Sequence, residues 1–265
     1  MPDYVAHDQF GQEVLGRLDE DLKLRALAYK REYDMGLQGP DLFFFYKPYR
    51  KTEISAYGAA RHQEPAMRMF GPILAKAREK AALSYLMGLI CHYTLDAACH
   101  PYVNGHSRNI MEHHRMEAAY DRHILSRCGL SGTGRFLTDP SGLDFDTIAS
   151  LWPGMDAEII RKCLKSRRFY TRLLEQKWLV LFLETIAGKR GAFSSMFLPD
   201  DVPPEQREHV RRLDELYAEA LAQAPERIRT ACAAMGTVPR KLEGFDRNYE
   251  GEAAHEQAGE KLDPL

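Results

Sequence analysis

The sequence predicts an all-α, single-domain, multi-helix bundle, and three observations lead to this class. Apolar residues recur every three or four positions over most of the 265 residues, which is the period of an amphipathic helix. The sequence has no sustained alternation of apolar and polar residues and no internal repeat. A chain of this length can bury one large core. We therefore predict one domain over residues 1–240, followed by a polar C-terminal tail over residues 241–265.

Composition and charge exclude several classes of protein. The formal net charge of −2 gives no electrostatic reason to expect a stable nucleic-acid partner. No uninterrupted apolar run reaches about 18 residues, so we expect no membrane span. Five cysteines without a CxxC pair argue against a disulfide framework and a cysteine-type zinc finger. The polar N-terminus lacks a recognisable signal peptide, so we expect a cytoplasmic protein, and the oligomeric state stays open.

The first part of the chain reads as helix, turn and helix. A helical pattern begins at His7 and continues as far as the segment GLQGPD, which suits a helix end and a turn that carries Asp41. The aromatic run over residues 42–46 follows. We expect it to pack mainly in the core, although an apolar wall beside a site or a contact with lipid is also compatible with it. Another helix is predicted over residues 65–80.

The most apolar helix is predicted over residues 81–100. Its apolar residues surround the helix axis, which is typical of a helix buried on most sides. Pro101 lacks a backbone donor and disfavours helical geometry at His100, so we expect this helix to end or kink there. A partner helix is predicted over residues 109–128. Farther along the chain, helical patterns cover residues 146–151, 155–164, 169–187 and 205–235.

Histidines and carboxylates on these two central helices have the spacing of metal ligands. His92, Asp96 and His100 are four residues apart, and so are His113 and Glu117. Side chains four positions apart lie on the same face of a helix. A buried carboxylate without a partner is costly, whereas a divalent cation neutralises it and accepts neutral imidazoles. The spacing therefore predicts a metal-binding domain.

Five such side chains exceed the three or four protein ligands that one tetrahedral zinc ion takes, so we expect more than one ion. The remaining ligands should come from elsewhere in the chain. Candidates are His7 at a helix start, Asp41 after the Gly-Pro turn, and His62 shortly before a proline. From the residues alone, each of the three is open between a metal ligand and an ordinary polar residue.

Taken together, these residues resemble the ligand series of the zinc-dependent phospholipase C family, which is related in fold to zinc-dependent single-strand nucleases of the S1/P1 type. The resemblance covers roughly the first half of the chain. It is carried by His7, the GPD turn with Asp41, His62, the run CHYTLDAACHP with His92, Asp96 and His100, and HHRME with His113 and Glu117.

The resemblance implies two or three zinc ions. One ion would be held by Asp41, His62, His92 and Asp96, a second by His100, His113 and Glu117, and a third by His7 with the shared Asp96. In the family, the third ion also uses the amine and carbonyl of an N-terminal tryptophan, which this chain lacks at its start. An aromatic residue of the family's choline pocket is replaced here by Leu42, so choline specificity does not transfer.

The implied activity is phospholipase C-like hydrolysis of a phosphodiester, with phospholipid as one candidate substrate. Zinc would lower the pKa of a bound water to about 7 and supply hydroxide, and Asp41 would orient the attacking water or act as general base. Two alternatives stay open. A nuclease or nucleotidase on the same zinc cluster should have aromatic stacking platforms near the metals. A noncatalytic metal-binding protein should have a closed ligand sphere.

Overall fold

The computed structural model of the protein describes residues 4–78, 80–132 and 138–253. These residues form α-helices and short 3-10 helices and contain no β-strand, and one isolated β-bridge joins Arg247 to Ala253. The all-α class predicted from the sequence is confirmed. Within the same described ranges, no helix combines the length and the apolar character that crossing a bilayer requires.

The α-helices of the described residues follow one another along the chain and are numbered in that order. They are α1 (Tyr4–Leu15), α2 (Glu20–Ala28), α3 (Lys30–Gly36), α4 (Glu53–Gln63), α5 (Ala66–Lys76), α6 (Lys80–His106), α7 (Ile110–Arg127), α8 (Phe145–Leu151), α9 (Ala157–Glu175), α10 (Lys177–Ala187) and α11 (Arg207–Ala233). Short 3-10 helices cover Gly39–Phe45, Ser194–Met196 and Pro204–Gln206.

Helix α6 is the centre of the fold. Every residue from Ala81 to Ala97 is buried, as the apolar residues around its whole circumference predict. Helices α1, α2, α3 and α11 pack directly against it, and α7 returns beside its C-terminal half. Side chains on α6 therefore lie in the interior of the protein, including the polar ones at positions 92, 96 and 100.

Two glycines allow α3 to cross α6 at close range. A Cβ atom on Gly88 would lie 2.0 Å from the carbonyl oxygen of Tyr33, and one on Gly36 would lie 2.2 Å from that of Tyr85. No side chain fits at these distances, so both positions require glycine. Helix α3 ends at this crossing. The turn that follows it carries Asp41 and therefore packs against α6.

The first predicted helical pattern forms three helices rather than one. The side chain of Asp19 accepts a hydrogen bond from the backbone N–H of Leu22, which starts α2 as a new helix. Tyr29, with φ −132°, separates α2 from α3. The apolar period runs on through both breaks because all three helices pack on the same core. The pattern over residues 169–187 is likewise divided, at Gln176, into α9 and α10.

Of the two outcomes predicted at His100, an end or a kink, the end is wrong, because α6 continues through Pro101 to His106. Pro101 cannot donate to the carbonyl of Ala97, the residue four positions earlier. The turn at Gly251 packs against both groups: a Cβ atom there would lie 2.6 Å from the Ala97 oxygen and 2.3 Å from Pro101 Cγ. Tertiary packing from a distant segment thus maintains the helix beyond the proline. The partner helix α7 begins after an Asn109 cap, as predicted.

The C-terminal segment was predicted to be a polar tail from residue 241, yet its described part is packed on the domain. Phe245 and Tyr249 are 2% and 0% exposed and belong to the core. The ring of Phe245 stacks on that of Tyr93, with centroids 5.4 Å apart. These aromatic residues are separated by polar residues, so no apolar periodicity predicts that they are buried. Residues 254–265 of the predicted tail lie outside the described residues.

Candidate metal centre

All eight predicted ligands meet in one buried cluster. Their exposed fractions lie between 1% for His92 and 9% for His113. Within each of three groups, the candidate ligand atoms lie no more than 4.8 Å apart. The groups are His7, His92 and Asp96; Asp41, His62 and His92; and His100, His113 and Glu117. Such convergence of imidazole nitrogens and carboxylate oxygens is what shared cations require.

Four α-helices and one 3-10 helix supply these side chains. They are His7 on α1, Asp41 on the 3-10 helix Gly39–Phe45, His62 in the last turn of α4, His92, Asp96 and His100 on α6, and His113 and Glu117 on α7. Helix α6 contributes three of them on one face because their four-residue spacing continues uninterrupted through position 100. The central helix therefore carries the middle of the cluster, and its neighbours close it from the sides.

Asp96 lies at the centre of the cluster and connects three histidines. Its Oδ1 atom is 3.0 Å from His7 Nε2 and 3.8 Å from His100 Nε2. Its Oδ2 atom is 3.0 Å from His92 Nε2. The rings of His7 and His92 stack, with centroids 3.9 Å apart. This one carboxylate therefore faces residues of two different ligand groups.

The other two carboxylates stand at opposite ends of the cluster. Asp41 Oδ1 is 2.8 Å from His62 Nε2, and Asp41 Oδ2 is 3.7 Å from His92 Nε2. At the far end, Glu117 Oε1 is 2.8 Å from the Nε2 atom of His113 and 3.8 Å from that of His100. Carboxylates and imidazoles thus alternate along the whole cluster.

Hydrogen bonds on the outer side of the rings fix which nitrogen faces the cluster. The Nδ1 atoms of His62, His92 and His100 lie 2.9, 3.0 and 2.9 Å from the backbone carbonyls of Gly58, Leu37 and Tyr249. A carbonyl oxygen can only accept, so each Nδ1–H donates. In the neutral ring the lone pair is then on Nε2, which faces the carboxylates. Histidines that bind metals in proteins are held in this way.

Several of the inward-facing atoms have no hydrogen-bond partner within the part of the chain that the structure describes. Among the described residues, six of them lack a partner in hydrogen-bond geometry: Asp41 Oδ1, His62 Nε2, His92 Nε2, Asp96 Oδ2, His100 Nε2 and Glu117 Oε2. Lone pairs of imidazole and carboxylate repel at such distances unless protons or metal ions lie between them. Imidazole nitrogen and carboxylate oxygen are ligands that zinc accepts, so the residues present fit this ion.

The electrostatics of the cluster favour negative carboxylates beside positive charge. Burial opposes protonation of His100 and His62, but their carboxylate neighbours outweigh it. The pKa of His100 is raised well above 6.5 by Asp96 and Glu117, and the pKa of His62 is raised by Asp41. Burial alone would raise the pKa of the acids, yet the adjacent histidines hold the pKa of Asp96 well below 3.8 and lower that of Glu117 to about 2.

Position 39 in the GPD turn requires glycine for two reasons, its backbone conformation and the lack of space for a side chain. Its φ of +54° is in the left-handed region that favours glycine. A Cβ atom at this position would lie 2.3 Å from Cδ2 of the His92 ring. The turn therefore lies directly on the ligand-type ring, and Asp41 follows two residues later beside the same histidine.

A sequence model of one protein family, described as zinc dependent phospholipase C, matches residues 6–180, more than half of the chain. The chain belongs to the zinc-dependent phospholipase C family. The matched range contains all eight clustered residues, and the resemblance predicted from the sequence is confirmed. No curated protein and no solved structure compared with the chain matches it.

The sequence did not reveal two residues that lie beside the candidate metal centre of this zinc-dependent phospholipase C family member, because they belong to the polar segment beyond residue 240. The carbonyl of Tyr249 holds His100, and the Tyr249 ring lies 5.3 Å from the His62 ring and 5.8 Å from the His92 ring. Glu250 Oε2 lies 3.9 Å from His100 Nδ1. No local pattern could have identified either residue, since their positions are set only by tertiary folding.

Two further residues support ligands of the cluster, and one of them had a signal in the sequence. Asp121 accepts hydrogen bonds from the backbone N–H groups of Ala6 at 2.9 Å and Val5 at 3.4 Å, which anchors the start of the helix that carries His7. Asp121 has a signal in the sequence, because it continues the four-residue spacing of positions 113 and 117. Asn104 lies 3.1 Å from Nδ1 of His113 through its side-chain oxygen.

A cleft of about 1540 Å³ opens on the cluster. His62, His100 and His113 lie in its wall, and the second half of the chain lines the other side. The aromatic run over residues 42–46 was expected either to pack in the core or to form an apolar wall beside the site, and different residues do each. Phe43 is buried in the core, whereas Phe44 and Phe45 are half-buried and line the cleft. The expectation of core packing is therefore correct for the first part of the run only.

Proposed function

We propose that this member of the zinc-dependent phospholipase C family hydrolyses phospholipids with zinc ions held by the eight clustered residues. The observation that carries the proposal is the position of the cluster at the wall of an open cleft. A structural zinc site is closed, whereas a catalytic one keeps a position accessible to water and substrate. The cleft therefore argues against the noncatalytic alternative.

The three ligand groups assign each side chain a role as metal ligand. Asp41, His62 and His92 would hold one ion, and His100, His113 and Glu117 a second. His7 and Asp96, with His92 shared, would complete a third group. Residues 1–3 lie outside the described residues, and none of them is the tryptophan that supplies the family's remaining ligand. Two or three ions are compatible with this arrangement, and metal analysis decides between them.

Zinc, when bound, supplies a Lewis acid for phosphate oxygens and brings the pKa of water close to neutrality. The residues of the chain supply orientation and proton transfer. Asp41, 8% exposed and near the cleft residue His62, would accept a proton from the attacking water or fix its direction. Water would add to phosphorus as the bond to the alcohol oxygen breaks. The products are a phosphomonoester and an alcohol, which is diacylglycerol for a phospholipid.

The walls of the cleft fit an amphiphilic substrate. Several aromatic residues line the cleft, and Phe44 stacks beside His62 with ring centroids 5.4 Å apart. Apolar walls next to the polar cluster provide separate environments for the hydrocarbon and phosphate parts of a phospholipid.

The same aromatic residues also favour the second candidate, a nuclease or nucleotidase. Phe44, Tyr49, Tyr170 and Phe193 all line the cleft, and aromatic faces can stack on nucleic-acid bases. The two candidates share the metal cluster and differ in the group that the aromatic walls receive. Substrate tests, rather than metal analysis, therefore separate them.

The decisive experiment compares three substrates: phosphatidylcholine vesicles, a soluble chromogenic phosphocholine ester and single-stranded DNA. We expect lipid hydrolysis that a chelator abolishes and zinc restores, and that His92→Ala eliminates. His209→Ala is the matched control because His209 is bonded to Tyr102 outside the cluster, and it should retain activity. Cleavage of DNA alone would favour the second candidate. Lipid hydrolysis that survives both chelation and His92→Ala would refute the proposal.

A further inference from the structure

Helix α10 presents an apolar face to solvent. Trp178, Phe182 and Ile186 follow one another at four-residue spacing and are 70%, 58% and 69% exposed. Leu181 and Leu183 beside them are 49% and 47% exposed. Contiguous exposed apolar side chains of this size usually mark an interaction surface.

The orientation of α10 is fixed by its inner side. Val180 and Glu184 are its buried residues. The carboxylate of Glu184 accepts hydrogen bonds from the backbone N–H groups of Gly191, Phe193 and Ser194 and from the Ser194 hydroxyl. The only acidic side chain of α10 therefore points inward, and its carboxylate is hydrogen-bonded to the loop that follows the helix. The outer face is left apolar and without negative charge.

Basic residues stand beside this apolar face. Lys189 and Arg190 directly follow α10 and are exposed. On another part of the cleft, exposed Arg50 and Lys51 follow Tyr49, which is 64% exposed. Among the residues that the structure describes, none of these four cations takes part in an ion pair, whereas Lys177 at the start of α10 pairs with Asp200 at 3.0 Å. These four side chains therefore offer positive charge that no ion pair within the described ranges neutralises.

Both rim segments border the cleft that leads to the ligand cluster. Lys177, Ala187 and Lys189 of the α10 segment line it, and so do Tyr49 and Arg50. Trp178, Phe182 and Ile186 are not among the lining residues, so the apolar face adjoins the cleft without forming its wall.

We propose that the outer face of α10, together with the rim loop at Tyr49, docks on a phospholipid bilayer that contains anionic lipids. Trp178, Phe182 and Ile186 would enter the interface, and the basic residues would contact phosphate head groups. A second copy of the chain is a poorer occupant, because a two-fold contact would bring like-charged rims together. The inference rests on the proposed function for the substrate, but docking is measurable without hydrolysis.

Tryptophan fluorescence gives the first test. The chain has two tryptophans: Trp152 is buried, 1% exposed, and Trp178 is 70% exposed. A blue shift on adding vesicles therefore reports Trp178 entering an apolar environment. We expect this shift, and sedimentation of the chelated protein, with phosphatidylcholine vesicles that contain about 20% phosphatidylserine, and weaker binding at high salt.

Paired variants give the second test. Phe182→Ser with Ile186→Ser should lower vesicle affinity by about tenfold or more, since two apolar side chains no longer enter the interface. Leu24→Ser with Val238→Ser, at positions 58% and 70% exposed elsewhere, is the matched control and should bind as the wild type does. Arg190→Glu should weaken binding, and Arg17→Glu, at an exposed site away from the cleft, should not. All four variants should hydrolyse the soluble ester at the wild-type rate.

Three results would overturn the proposal. In the first, the wild-type protein shows neither a blue shift nor sedimentation with anionic vesicles. In the second, the control variants lose as much vesicle binding as the α10 variants do. In the third, the wild-type protein is a dimer that the α10 substitutions dissociate. Failure of the proposed function looks different: vesicles would bind through α10 while neither lipid nor soluble ester was hydrolysed.

Discussion

The Nδ1 atom of His100 donates a hydrogen bond to the backbone carbonyl of Tyr249 at 2.9 Å, across 149 positions of sequence. This bond ties the C-terminal segment to the middle of the candidate metal centre. The Tyr249 ring fills the space beside His62 and His92. Residues beyond the range that matches the family therefore help to hold the candidate ligand histidines in place.

Tyr249→Ala should loosen the metal centre as well as the core. Removing a fully buried ring costs about 3–5 kcal/mol of unfolding free energy and leaves space beside the ligand rings. We expect zinc affinity to fall about tenfold to a hundredfold, as when groups that orient ligands are lost. Thermal unfolding and competition with a chromogenic chelator measure the two effects.

Tyr217→Ala is the matched control for this substitution. Tyr217 is 2% exposed, and its ring packs against those of Phe10 and Tyr120 rather than against a histidine of the cluster. It should lose comparable stability and keep the zinc affinity of the folded protein. Equal zinc affinities for the two variants would show that Tyr249 acts on the fold alone.

Asp96→Asn tests the central carboxylate. The substitution preserves shape but removes the charge that faces His7, His92 and His100. We expect fewer bound zinc ions per chain and a loss of activity of at least about a hundredfold. Asp214→Asn, at a carboxylate paired with Arg127 on the surface, should change neither. Full zinc content in Asp96→Asn, measured by elemental analysis, would contradict the central position of this residue.

Gly39→Ala tests the contact between the GPD turn and His92. The new methyl group would collide with the imidazole, and alanine is also strained at φ +54° by about 1–2 kcal/mol. Gly129→Ala separates these effects, because Gly129 has φ +68° but nothing within 4 Å of a Cβ atom. Both variants should lose stability, and only Gly39→Ala should lose zinc. Matching zinc contents would mean that the turn does not position His92.

The two central helices show how far sequence can predict a site. His92, Asp96, His100, His113 and Glu117 were predicted together because ligand spacing along a helix is a local property. The continuation of α6 past Pro101 was not predicted, because it depends on packing by the segment around residue 251. The exposure of the apolar face of α10 was likewise not predicted, because apolar periodicity indicates a helix but does not show which of its faces is exposed to solvent.

The chelated and zinc-loaded proteins should respond to pH in opposite ways. The pKa values of His62 and His100 are raised by their carboxylates, so their contribution to stability is complete below about pH 6.5 and lost as the pH rises through the raised values. The thermal midpoint of the chelated protein should therefore fall above neutrality. Stabilisation by zinc should grow over the same range, because protons no longer compete for the imidazoles.

On the acid side, the pKa of Glu117, lowered from 4.5 to about 2, predicts a further loss of stability as the pH falls between those values. Thermal unfolding across the pH range, with and without chelator, measures both effects. A zinc-dependent stabilisation that stays constant with pH would contradict proton competition at these histidines.

Anomalous diffraction at the zinc absorption edge, from crystals of the zinc-loaded protein, tests the metal centre most directly. We predict at least two anomalous peaks inside the cluster, one beside Asp41 and His62 and another between His100, His113 and Glu117. Zinc peaks found only at the surface, with no peak among these residues, would contradict the assignment of the buried imidazoles and carboxylates as metal ligands.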